Sequence, residues 1–136
     1  MKEAMMSYRL TALLLIVGIV FQVSAAQQEI SLKTEMVKTK EGEAVHWMPG
    51  QIKVKQGDHL KFTVHHDLDA GFDFHGFFIP SLKIAKQVSR HKPLVVEVTI
   101  PKDMKPGEYD IGCQFHPKHV PAKLQVESAL TETPKH

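Results

Sequence analysis

Residues 50–64 read GQIKVKQGDHLKFTV, and this stretch restricts the fold of the chain more than any other. Ile52 and Val54, then Leu60, Phe62 and Val64, recur at every second position, the period at which side chains of an extended strand share one face. A helix would scatter them around its axis. The run therefore specifies two strands with one buried face, and the turn QGD at residues 56–58 between them predicts a hairpin.

Other segments repeat the pattern. EISLKTEMVK, residues 29–38, alternates in part and precedes a turn at TKEGEA. PLVVEVTIP, residues 93–101, is rich in β-branched side chains, and KDMKPGEY holds a Pro-Gly turn. YDIGC and AKLQVE supply two more strands. The weak helical signal lies in SLKIAKQVSR, residues 81–90, which predicts a turn or short helix. Short strands at regular spacing imply an all-β chain folded as a Greek-key β-sandwich.

The N-terminus has a different character. Lys2 and Arg9 precede the apolar run LTALLLIVGIVF, and VSAA follows with small residues, the pattern of a secretory signal peptide cleaved after Ala25 or Ala26. The apolar run is shorter than the roughly 20 residues a membrane span needs, so no stable span is expected after cleavage. The expected organisation is a signal peptide at 1–25, one domain at 27–128 and a polar, frayed tail at 129–136, in a periplasmic or secreted protein. Losing Lys2, Glu3 and Arg9 lowers the formal charge from +2 to +1, which offers nothing to a nucleic acid.

Export sharpens the meaning of Cys113, the one cysteine of 136 residues. An odd thiol in an oxidising compartment is intermolecular, reactive or ligated. The loop CQFHPKH places His116 and His119 at steps of three from it, and thiolate with imidazole is the donor set that copper and zinc take. A nucleophilic role does not suit a cysteine in a strand-flanked loop away from a helix N-terminus. Among the nine histidines, His59 and His91 neighbour turns and His136 lies in the tail. His65 and His66 end a strand, so one faces inward and one outward, and strand-end placement accounts for both better than ligation does. His75 stands apart. It sits in GFDFHGFFIP, where Phe72, Phe74, Phe77 and Phe78 form an apolar collar and Gly76 permits close backbone approach. Pro117 and Pro121 stiffen the loop, Tyr109 packs in the core, and Met36, Met48 and Met104 fill gaps.

Taken together, WMPGQIKVKQGDHLKFTV, DFHGFFIP and GEYDIGCQFHPKH resemble the cupredoxin family of small copper proteins over residues 47–127. The resemblance implies a cupredoxin-like sandwich holding one copper ion, with His75 as upstream ligand, Cys113 as thiolate and His116 as second imidazole. Amicyanin-like members carry CxxHxxM, and His119 occupies the position of that axial methionine. The loop is also similar to that of nitrosocyanin, a red copper protein, although the residue aligned with its glutamate ligand is near Ala70, which binds no metal. Periplasmic copper-tolerance cupredoxins are a third comparison.

An imidazole at the axial position is a stronger donor than a thioether; it favours Cu(II), weakens the copper–thiolate bond and lowers the potential. A green or red protein is expected rather than an intensely blue one. Three function classes follow: a one-electron carrier with redox partner proteins, a copper-binding tolerance protein with accessory His or Met, and a small redox enzyme, which would need an open coordination position. A zinc site would be colourless.

Overall fold

A computed structural model describes residues 27–69, 73–115 and 119–129. The leader predicted at 1–25 and, apart from Ala129, the tail at 129–136 lie outside the described residues.

Nine strands make up the described chain: β1 (Gln27–Thr39), β2 (Gly42–Met48), β3 (Gln51–Lys55), β4 (His59–His65), β5 (Phe74–Ile79), β6 (Ile84–Ser89), β7 (Leu94–Thr99), β8 (Gly107–Ile111) and β9 (Ala122–Glu127). They form a four-stranded sheet in the order β2-β1-β4-β7, a three-stranded sheet β3-β9-β8 and a two-stranded ribbon β5-β6. A bridge between Phe78 and Gly112 attaches the ribbon to the end of β8. The all-β sandwich expected from the alternation is present, and no α-helix occurs among the described residues.

The alternation decides what is buried. Ile30 and Leu32 from β1, Ile52 and Val54 from β3, Leu60, Phe62 and Val64 from β4, and Leu124 and Val126 from β9 all enter one core with Trp47, Phe77 and Ile111. Each fully buried Phe, Leu, Ile or Val contributes about 1.5–3 kcal/mol relative to an exposed one.

Two expectations need correction. Residues 50–64 do not form a hairpin. β3 pairs in parallel with β9, while β4 pairs in parallel with β1 and antiparallel with β7, so the turn at 56–58 carries the chain from one sheet to the other. Both apolar faces point into the same interior from opposite sides, which is why the alternation looked like a single face. The crossing is fixed locally. Gly57 has φ +82°, a left-handed value that suits glycine, and its N–H donates to the Ile100 carbonyl at 2.8 Å. The Asp58 carboxylate accepts from the Lys55 N–H at 2.8 Å. In the second correction, only Pro80–Leu82 is a 3-10 turn, and Ile84–Ser89 is a strand paired antiparallel with β5. Burial of Ile84 and Val88 in the common core outweighs the helical tendency of that segment.

Candidate metal centre

The site is assembled by contacts that hold the end of β8 against β5. The Phe78 N–H donates to the Gly112 carbonyl at 3.1 Å, and the Gly112 N–H returns a bond to the Phe78 carbonyl at 2.8 Å. The Trp47 indole Nε1–H donates to the same Gly112 carbonyl at 3.2 Å. One residue on, the Cys113 sulfur accepts the Gly76 N–H at 3.2 Å. Cys113, half-buried, and His75, fully buried, are thereby brought to one place from separate parts of the chain.

Glycine at position 76 is required by this approach. A Cβ there would stand 2.0 Å from Gln114 Oε1 and 3.0 Å from the Gln114 backbone nitrogen. The Cys113 loop lies directly over residue 76.

Imidazoles surround the same point. The rings of His75 and His119 have centroids 5.6 Å apart, and His119 rests on Trp47 at 5.4 Å. Nδ1 of His119 lies 3.2 Å from the Val120 carbonyl oxygen, to which it donates; the remaining nitrogen, Nε2, is the one a metal would take. On the other side, His66 stacks edge-on against His75 with centroids 4.4 Å apart.

Of the predicted ligands, His75 has its ring against that of His119, Cys113 meets the backbone of the residue after His75, and His116 lies outside the described residues. Among the described residues, no three His, Cys, Asp or Glu side chains already stand at metal-binding spacing. The donor chemistry nevertheless fits copper: one thiol held by a backbone N–H and imidazoles removed from water. Phe77 supplies the predicted apolar wall, fully buried between Trp47 and Phe62. Phe74 does not; it is 40% exposed and packs on Phe115 at the surface. Phe72 is not among the described residues. Of the two strand-end histidines, His66 is the inward one, 1% exposed and packed on His75. Its signal was present, because Leu60, Phe62 and Val64 set an inward register that reaches residue 66.

Comparison with known proteins gives a consistent result. The family model described as cupredoxin-like domain matches residues 10–126. No curated protein sequence matches the chain. Solved structures share the fold at low identity. The metal binding domain of the Cu(I) exporting P-type ATPase CopA of Streptococcus pneumoniae D39 is 14% identical, with a TM-score of 0.58 over 77% of this chain and 90% of that one. A copper binding protein in its apo form is 20% identical, with a TM-score of 0.53 over 78% of this chain and 93% of that one. The copper nitrite reductase of Nitrosomonas europaea is 13% identical, with a TM-score of 0.61 over 76% of this chain and 42% of that one.

Proposed function

The chain belongs to the cupredoxin-like domain family, and from that premise we propose that it is an exported protein holding one copper ion and working as a one-electron carrier. The observation that carries this reading is the 3.2 Å contact from the Gly76 N–H to the Cys113 sulfur, beside the buried His75.

His75, Cys113, His116 and His119 would hold the ion, which supplies a reversible one-electron step when bound. The protein's own work is to keep those donors still. Cys113 is tied by Gly76, its neighbour Gly112 by Phe78 and Trp47, and His119 by the Val120 carbonyl. Side chains fixed by such bonds reorganise little when the charge at the site changes. Phe77 and Trp47 exclude water from the inner side.

The copper-tolerance reading calls for accessory ligands, with His46, His65 and His66 as candidates. His46 and His65 flank β1 on opposite sides, at Glu35 and Lys33 respectively. Two strand spacings of about 4.8 Å separate them before the register offset is added, so they do not share an ion. His46 faces the Glu35 carboxylate instead, at 3.8 Å.

The test is to load the protein beginning near Gln27 with Cu(II) and record its absorption and EPR spectra. A strong thiolate-to-copper absorption, lost in Cys113→Ser, together with fast self-exchange is expected. A protein that takes up no copper overturns the assignment. Uptake of several copper equivalents without self-exchange favours tolerance.

A further inference from the structure

The antiparallel bridge between Phe78 and Gly112 sets the register in which the loop after β8 meets β5. Those two residues exchange both backbone bonds, so two positions further along the same pattern would repeat, with Gly76 opposite Gln114 and the Gly76 N–H donating to the Gln114 carbonyl. That bond is replaced. The Gly76 N–H donates to the Cys113 sulfur at 3.2 Å.

Sulfur is a weak acceptor, and such a bond holds best where water cannot compete for the donor. Gly76 is buried although it has no side chain that could shield its own backbone. Gln114 supplies the cover. Opposed residues of an antiparallel pair point to the same face, and a Cβ on residue 76 would stand 2.0 Å from Oε1 and 2.6 Å from Cδ of Gln114. The glutamine side chain thus lies across Gly76, and its Nε2 donates to the Lys86 carbonyl on β6 at 3.4 Å. Gln114 is itself exposed, so one side of the amide faces water while the other rests on the strand. Ordering a glutamine costs rotamer freedom, and a bond as long as 3.4 Å returns little of it. Packing on the bare backbone of residue 76 is the larger part of what holds the side chain down.

We infer that Gln114 is a positioning residue for the Cys113 sulfur: laid over Gly76, it keeps water from the N–H that fixes the sulfur in place. The consequence for redox chemistry rests on the copper reading above, because hydrogen bonding and solvent access around a thiolate ligand help to set the potential of such a centre. The shielding itself belongs to the metal-free chain and is tested there.

The experiment compares metal-free wild type, Gln114→Ala and Gln114→Met by hydrogen exchange at the Gly76 amide, read by NMR. The Phe62 amide, in β4 between β1 and β7, reports global opening. Gln114→Ala should accelerate exchange at Gly76 by about tenfold or more and leave Phe62 within about twofold of wild type, since truncating an exposed side chain changes overall stability little. Methionine reaches as far as glutamine without donating to Lys86. Because cover matters more than the long bond, Gln114→Met should return Gly76 to within about threefold of wild type. Unchanged exchange at Gly76 in Gln114→Ala overturns the inference, as does a Gln114→Met protein as fast as Gln114→Ala. Equal acceleration at Gly76 and Phe62 overturns it too, because it marks a loss of overall stability and not of local cover. Each of these leaves the copper assignment standing. A wild-type protein that shows the expected exchange pattern but takes up no copper removes that assignment and keeps the shielding.

Discussion

The indole N–H of Trp47 and the backbone N–H of Phe78 donate to one carbonyl oxygen, that of Gly112, at 3.2 and 3.1 Å. The residue before Cys113 is therefore clamped from two strands at once, β2 in one sheet and β5 in the ribbon attached to the other. Trp47→Phe removes one donor and keeps most of the ring. Because Phe78 still satisfies the carbonyl, the loss should be about 1 kcal/mol, read as a lower urea midpoint with unchanged slope. Trp47→Ala removes the packing against Phe77 and His119 as well and should cost about 3–5 kcal/mol.

The crossing at residues 56–58 gives a second prediction. Gly57→Ala forces a side chain into a left-handed conformation at φ +82° and should cost about 1–2 kcal/mol. Asp58→Ala deletes the acceptor for the Lys55 N–H and should cost about 0.5–1.5 kcal/mol. Both are measured by denaturant unfolding of the metal-free protein. If the two strands were a hairpin, loosening this turn would disturb their pairing; here β3 remains paired with β9 and β4 with β1 and β7, so the folded spectra should match wild type.

That crossing also shows what a single sequence can and cannot convey. Period-two alternation in residues 50–64 identifies which side chains are buried, and every one of them is. It is silent on partners, because two strands facing each other across a core bury the same residues as two strands side by side. β5 is harder to read. Its neighbouring residues His75, Gly76 and Phe77 are all buried, since the Cys113 loop covers the face that would otherwise be open, and alternation breaks down. The meeting of the His75–Gly76 segment with Cys113 was legible because both stretches carry chemistry and unusual surroundings. The Thr34–His66 contact was not, because it arises from a parallel pairing of strands 32 positions apart that no local pattern encodes.

Gly76 offers a test of the thiol's environment. Alanine there meets the Gln114 side chain at 2.0 Å and the Gln114 backbone nitrogen at 3.0 Å. The side chain can swing toward solvent; the backbone has to shift by a few tenths of an ångström. Gly76→Ala should therefore cost about 1–3 kcal/mol of stability through overpacking and lengthen the N–H to sulfur contact, with a shift in the thiolate-to-copper band of the loaded protein. Adding Gln114→Ala removes the first clash and leaves the second. Partial recovery of stability with no recovery of the band shift is the expected result. Full recovery of both would mean that the glycine serves only to admit the Gln114 side chain.

On the copper reading proposed above, His119 is the residue through which colour and potential would be adjusted. It is 9% exposed, its ring lies between His75 and Trp47, and its Nδ1 is committed to the Val120 carbonyl. With His119 among the residues that would hold copper, replacing it with methionine would exchange a stronger donor for a weaker one, relaxing the preference for Cu(II) and strengthening the copper–thiolate bond. His119→Met should thus give a bluer protein with a higher potential, rising by about 59 mV for each tenfold loss of Cu(II) preference in a one-electron couple. Visible spectra and a redox titration of the loaded variant measure both. The metal-free variant should unfold within about 1.5 kcal/mol of wild type, since methionine adapts to the same volume. An unchanged spectrum and potential in a folded variant would place His119 outside the coordination shell and assign its ring to packing on Trp47.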